Sequence, residues 1–373
     1  MGYFFALSSL KFPLGIHLYL NIIPVLIGLY FFSTHTKKHL KLFWPFLAML
    51  MINLVVLLTN YEPKSTLRII QLFAMINFSF FIAQKWSEKN SKDFALVTTI
   101  LASILIVLEI IYIGPDGIKD FLGFKLPRYM GLLGESNYSA IILALNSMLL
   151  IRFKRYYLLI INLITLFLLA SRTGFLVVLI FAFLNLLVSK YPRFNRIIKY
   201  FILSLSLTPV LLWMIWKFAP MSSIELIEKL SNGRFFLWIP YIDMGISNVF
   251  GIGYFKGWAN YSEYLTPYKQ LADSIRGYQL NEQHNIFIQV FSEFGPICYS
   301  LFIYQIYKLA TIRENNNIYL FSILIGYSFL NGLSDYVLYL IIGFSLNDVD
   351  LKIEKSKILE LIERKMGRRI ETH

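Results

Sequence analysis

Charge is scarce in this chain: Asp, Glu, Lys and Arg make up 15% of its 373 residues, against about 25% in a soluble domain. A protein surrounded by water needs more, and a disordered chain needs more charge and less hydrophobicity. Cysteine is nearly absent. The single Cys298 lies in an apolar stretch, which excludes a disulfide framework and a thiolate metal site and reads as small helix filling. Five histidines show no zinc spacing, and there is neither a Gly-rich nucleotide loop nor a Ser/His/Asp order. The first residues are apolar but lack the basic start and small-residue cleavage site of a secretory signal, so they are expected to be membrane structure.

What fills the chain instead is apolar: 57% hydrophobic and 17% aromatic. Runs near the length that matches a bilayer's hydrocarbon core occupy residues 12–32, 42–59, 66–84, 94–113, 137–151, 156–170, 172–188, 197–216, 284–307, 317–331 and 333–346. The expected fold is all-α and polytopic, with eleven transmembrane helices, or twelve if residues 3–32 form two short segments around Pro13. The net charge of +13 then reports orientation, and no nucleic acid is expected as a partner. Basic residues gather in alternate connections: Lys37, Lys38 and Lys41; Lys85, Lys89 and Lys92; Arg152, Lys154 and Arg155; Lys190, Arg193, Arg196 and Lys199; Lys308 and Arg313. With the basic tail, these hold most of the 35 and mark the cytoplasmic side, leaving the N-terminus outside.

The expected organisation is helices 1–8 over residues 1–216, a long external loop over 217–283, helices 9–11 over 284–346 and a cytoplasmic tail over 347–373. Tail residues Ile358, Leu361, Ile362, Met366 and Ile370 recur with basic residues between them, as in a helix lying on an anionic leaflet or a solvated topology anchor. Residues 114–136 form a medium external loop rich in Gly and Pro. The 217–283 loop is far longer than ordinary connections, which points to function. Ser222-Ser223-Ile224-Glu225 predicts a capping box and a short amphipathic helix, a second helix follows from Arg234, and Gly251-Ile252-Gly253 forces a turn.

Chemistry concentrates at outward-facing helix starts. Ser171-Arg172-Thr173-Gly174 opens one span and Asn281-Glu282-Gln283-His284-Asn285 another, where exposed N–H groups and the helix dipole favour anions. Arg172 sits in an almost connectionless turn between apolar spans, either as a phosphate fork or as an interfacial anchor. Arg234, between Gly233 and an aromatic run, could make the same contact or an ordinary loop ion pair. Of the histidines, only His284 stands at an external helix mouth, where a positive environment would keep it neutral and able to accept a proton. Glu135, Glu282 and Glu293 are the less favoured bases. Trp238, Tyr241 and the other loop aromatics suit sugar faces or an interfacial belt.

These stretches resemble bacterial O-antigen polymerases and ligases. The resemblance rests on Gly134-Glu135-Ser136-Asn137-Tyr138, Ser171-Arg172-Thr173-Gly174, Asn232-Gly233-Arg234 with Trp238 before Gly251-Ile252-Gly253, and His284-Asn285 with Glu293-Phe294-Gly295. It implies multi-pass residence in the bacterial inner (cytoplasmic) membrane and a glycosyltransferase without a metal or other cofactor. The implied donor is an undecaprenyl-diphosphate-linked oligosaccharide, with a chain-length regulator and a flippase as further partners. It assigns His284 as the catalytic base and Arg172 and Arg234 to the lipid diphosphate. Glu135, Asn137, Arg276, Asn285, Trp238 and Tyr241 become candidate substrate contacts. Polymerase is the first reading and ligase the second. A flippase would need internal repeats and mid-membrane charge; no convincing repeat is present, and Glu109 is the main candidate charge.

Overall fold

The computed structural model describes residues 22–34, 36–59, 63–121, 124–132, 135–231, 234–265, 283–312, 317–330, 333 and 336–346. The protein is mostly helical. Helices α1 (Ile22–Thr34), α2 (Thr36–Thr59), α3 (Pro63–Lys85) and α4 (Glu88–Leu108) are followed by a π turn at Glu109–Ile113. A two-stranded hairpin, β1 (Gly117–Phe121) and β2 (Phe124–Arg128), precedes α5 (Ser136–Arg152), α6 (Tyr156–Leu168), α7 (Arg172–Lys190), α8 (Phe194–Ser206) and α9 (Thr208–Phe218). The remainder is α10 (Met221–Leu230), α11 (Phe235–Ser247), α12 (Gly257–Leu265), α13 (Ile286–Ile312), α14 (Asn317–Tyr327) and α15 (Tyr336–Leu346).

Among the described residues, four helices are long and apolar enough to cross a membrane, or five if α8 and α9, bent by 50° at Leu207, make one span. Shorter apolar helices accompany them, so the architecture is that of a polytopic membrane protein. The expected span over 197–216 is thus a broken pair. That over 284–307 bends at Gly295-Pro296, where Gly295 has φ 76° and Pro296 cannot donate to the helix ladder. The hairpin is the one departure from all-α among the described residues. The N-terminal run through Asn21, with its Pro13 alternative, and the basic tail lie outside them.

Helix α5 is buried from Ser139 to Leu150 and forms the middle of the bundle, with α4, α6, α7 and α14 packed on it. In α7 the burial splits by face: Val177, Val178, Phe181 and Leu184 point inward, while Leu176, Leu179, Phe183 and Leu186 form an exposed apolar stripe suited to lipid. Hydrocarbon gives helices little hydrophobic reason to associate, so small and polar residues hold them. A Cβ on Gly174 would press on Ala140 of α5 at 2.8 Å, so α7 begins in close contact with the central helix. Deeper in the bundle, Asn146 donates to Thr99 and to Asn162, and Asn162 donates to Ser147 and to the Leu143 carbonyl, all within 2.7–2.8 Å. Such interhelical bonds contribute about 0.6 kcal/mol each on average.

The long loop is less external than its length suggests. Helix α11 is apolar on every side, and such a helix must be buried. Residues Phe235 to Ile242 are covered, chiefly by α13 and α12, with α9 beside them. The predicted α10 forms, but its N-cap is Pro220 with no side-chain cap, so the expected capping box at Ser222 does not. Proline suits a helix entrance because it fixes φ and has no N–H to leave unpaired.

Candidate functional site

The starts of α5, α7, α11 and α13 meet at one end of the bundle. Ser171, the N-cap of α7, donates to Asn137 Oδ1 in the first turn of α5 at 3.2 Å. Ala170, just before it, takes a left-handed conformation (φ 47°), which ends α6 and lets Arg172 open α7 at once. Arg172 is exposed at this first position.

Helix α11 is capped by groups of the α10 end. Ser231 Oγ accepts from the Arg234 and Phe235 N–H groups at 3.2 and 3.1 Å, and the buried Glu228 carboxylate accepts from Phe236 N–H at 3.1 Å. This fixes Arg234 at the N-cap. Its Nη1 donates to the Phe329 carbonyl at 3.0 Å, just past the end of α14, where unpaired carbonyls attract cations.

The same α14 end anchors the segment that carries His284. Asn285 donates to the Ser328 carbonyl at 2.9 Å, and its Oδ1 accepts from Phe287 and Ile288 N–H, capping α13. On the other side, the Gln283 carbonyl accepts from Trp238 Nε1 at 2.7 Å, and the Gln283 amide donates to Glu293 at 3.2 Å. Gln283 and Asn285 are buried, whereas His284 between them is half-buried and left-handed (φ 47°). A non-glycine residue held in that region costs of order 1–3 kcal/mol and persists only where its surroundings impose it. Burial first, and then the Arg234 charge, push the His284 imidazole down to about 4, so it is neutral at pH 7.

Glu293 is fully buried and holds loop elements together. Its carboxylate accepts from Gly257 N–H at 3.2 Å besides Gln283 and Gln289, while its carbonyl accepts from Gly253 N–H at 3.0 Å. A Cβ on Gly251 or on Gly295 would run into the other segment's backbone, so Gly251-Ile252-Gly253 and Glu293-Phe294-Gly295 lie directly against each other. Glu109 likewise pins a loop, its carboxylate accepting from Met130 and Gly131 N–H at 3.0 Å each.

The structure therefore brings Arg234 beside His284 and ties Asn137 to the start of the Arg172 helix. Glu135 stands exposed at the N-cap of α5. Tyr241 is wholly buried against Tyr261, with ring centroids 4.8 Å apart, and Trp238 is nearly so and holds the Gln283 carbonyl next to His284. Asn285 serves as a helix cap, a role its place before the apolar run Ile286-Phe287-Ile288 signals. Arg276, Asn281 and Glu282 lie outside the described residues.

Sequence reasoning missed the hairpin's part. Half-buried Lys119 has Arg128, Arg234 and Arg172 as its charged neighbours among the described residues, and burial together with these cations pushes it down to about 8. Arg128 Nε donates to Ser136 Oγ at the start of α5. The missed signal is the strand-like stretch Ile118-Lys119-Asp120-Phe121 and Phe124-Lys125-Leu126 around Gly123. Among the described residues, no group of three or more His, Cys, Asp or Glu could hold a metal ion.

Fold and site together define a polytopic membrane protein with a cationic, histidine-bearing mouth at one end of its bundle. Residues 157–303 match a family model described as O-antigen ligase, which supports placement in the O-antigen polymerase and ligase family. The matched stretch contains Arg172, Arg234 and His284, whereas the hairpin precedes it. Members of the family are membrane glycosyltransferase-like enzymes, and the match indicates ligase- or polymerase-type function. No curated protein matches the chain.

Proposed function

We propose that the protein is a metal-independent polysaccharide polymerase at the external face of the inner membrane. It would transfer a glycan from undecaprenyl diphosphate to the terminal sugar of a new lipid-linked repeat unit. The acceptor hydroxyl attacks the anomeric carbon while the bond from that carbon to the diphosphate oxygen breaks. The proton passes to His284, and the lipid diphosphate leaves with the bonding electrons. The observation that carries this reading is the placement of a neutral imidazole beside Arg234, at the end of the bundle where Arg172 opens α7. A base within reach of the hydroxyl and fixed positive charge for the leaving group are what the reaction requires. An anion that offsets Arg234 would raise the imidazole towards the pH at which it is an effective base.

His284→Ala should abolish chain extension, read as the polymer ladder on a gel, while membrane expression is unchanged; ladders of normal length would overturn the assignment. A second reading, ligation of finished polymer to another acceptor, is favoured by the description of the matched family model as O-antigen ligase. Purified protein given only the lipid-linked repeat unit separates the two. A ladder on the carrier supports polymerisation, and transfer only after a second acceptor is added supports ligation.

A further inference from the structure

We propose that the β1–β2 hairpin supplies half of the anion site, with Lys119 and Arg128 receiving the negative charge that appears on the lipid diphosphate when the sugar–phosphate bond breaks. This rests on the transferase reading above and extends it to two residues that precede the matched family segment.

The register of the hairpin carries the argument. Lys119 pairs with Leu126 and Gly117 with Arg128, so Lys119, Leu126 and Arg128 share one face. That face is the half-buried one, while Ile118 and Pro127 on the opposite face are exposed. The hairpin is fixed at its base by the main chain. Asp116 N–H donates to the Arg128 carbonyl at 2.7 Å, Tyr129 N–H donates to the Leu168 carbonyl at 3.3 Å, and Glu109 holds Met130 and Gly131. The Arg128 bond to Ser136 ties the same face to the start of α5, whose Asn137 meets Ser171 beside Arg172. The inner face is thereby turned towards the mouth where Arg172 and Arg234 stand.

Burying a lysine among three arginines is unfavourable unless an anion is to sit there. Among the described residues, the charged groups acting on Lys119 are Arg128 on its own hairpin, Arg172 from α7 and Arg234 from the α11 cap, all positive. Before cleavage, a diphosphate joining sugar and lipid carries a charge on each phosphate, which Arg172 and Arg234 match. Cleavage adds further negative charge to the leaving group, and a second pair of cations is the complement that charge needs. Exposed Ile118 on the outer face (76% exposed) and exposed Phe124 at the tip of the inner face (70%) suit a hairpin lying at the membrane interface, where the headgroup of a polyprenyl carrier sits.

The test uses full-length protein in nanodiscs and farnesyl diphosphate as the probe, titrated calorimetrically at pH 7 and pH 9. Binding favours charged Lys119, whose pKa stands near 8, so wild-type affinity should fall between these two pH values. Lys119→Gln should bind about tenfold more weakly at pH 7, the scale of one lost charge-assisted hydrogen bond. Lys119→Arg should keep near-wild-type affinity at pH 7 and retain it at pH 9. Lys119→Gln binding as well as wild type, or Lys119→Arg losing affinity at pH 9 as wild type does, would overturn the hairpin's role. If Arg172→Gln loses binding and Lys119→Gln does not, the hairpin proposal alone fails. Wild-type protein that does not bind the probe overturns the transferase reading along with it.

Discussion

His284 acts in the proposed chemistry, yet it is the least tied member of its segment. The strain of its left-handed backbone is imposed from both sides, by Trp238 and Glu293 holding Gln283 and by Ser328 holding Asn285. Its place at a helix mouth was legible from sequence; the clamp was not, because it joins residues 45 and 43 positions apart. Arg172 is the complementary case, a charge whose importance shows in the scarcity of charge around it. Its expected role depends on a planar fork, which an ammonium does not reproduce. Arg172→Lys should lower transfer by about tenfold with protein level unchanged, the scale of one charge-assisted bond. Wild-type activity in that variant, measured as polymer formed per unit protein in membranes, would reduce Arg172 to an interfacial anchor.

Among elements, α11 and α13 show how the site is held. Both bear a proline and a glycine-dependent contact, and they pack along each other with the Gly251–Gly253 turn wedged against the α13 kink. Gly295 combines a φ of 76° with direct contact on Gly251, Val249 and Asn248 backbone, so no side chain fits without displacing the turn. Gly295→Ala should cost about 1–3 kcal/mol from crowding and more from the disfavoured backbone, lowering the melting temperature of purified protein in detergent. An unchanged melting temperature would mean that the kink can relax. The hairpin carries the corresponding lesson for sequence reading. Its residues are few and its strand pattern short, so Gly and Pro content dominated and the stretch read as a plain loop; pairing between Gly117 and Arg128 shows only in three dimensions.

At the scale of the whole molecule, the prediction concerns sides. Ser262 is exposed in α12, and the native Cys298 is buried, so Ser262→Cys provides a single reactive thiol. A membrane-impermeant maleimide applied to intact spheroplasts should label it, placing α12 outside. Labelling only after the cells are opened would invert the orientation. Scarce charge and long apolar runs determined by themselves that the chain is helical and lives in a bilayer, because hydrocarbon admits few other structures once every backbone group must be paired. They also marked where most helices run, since a helix's apolar content is local. What only the tertiary structure decided is the meeting of Lys119, Arg128, Arg172, Arg234 and His284 at one mouth. It also decided the burial of α11 within what reads as an external loop. Both depend on long-range packing: which helix starts share an end, and which carbonyls past α14 remain free to hold them, is set by contacts between segments far apart in the chain.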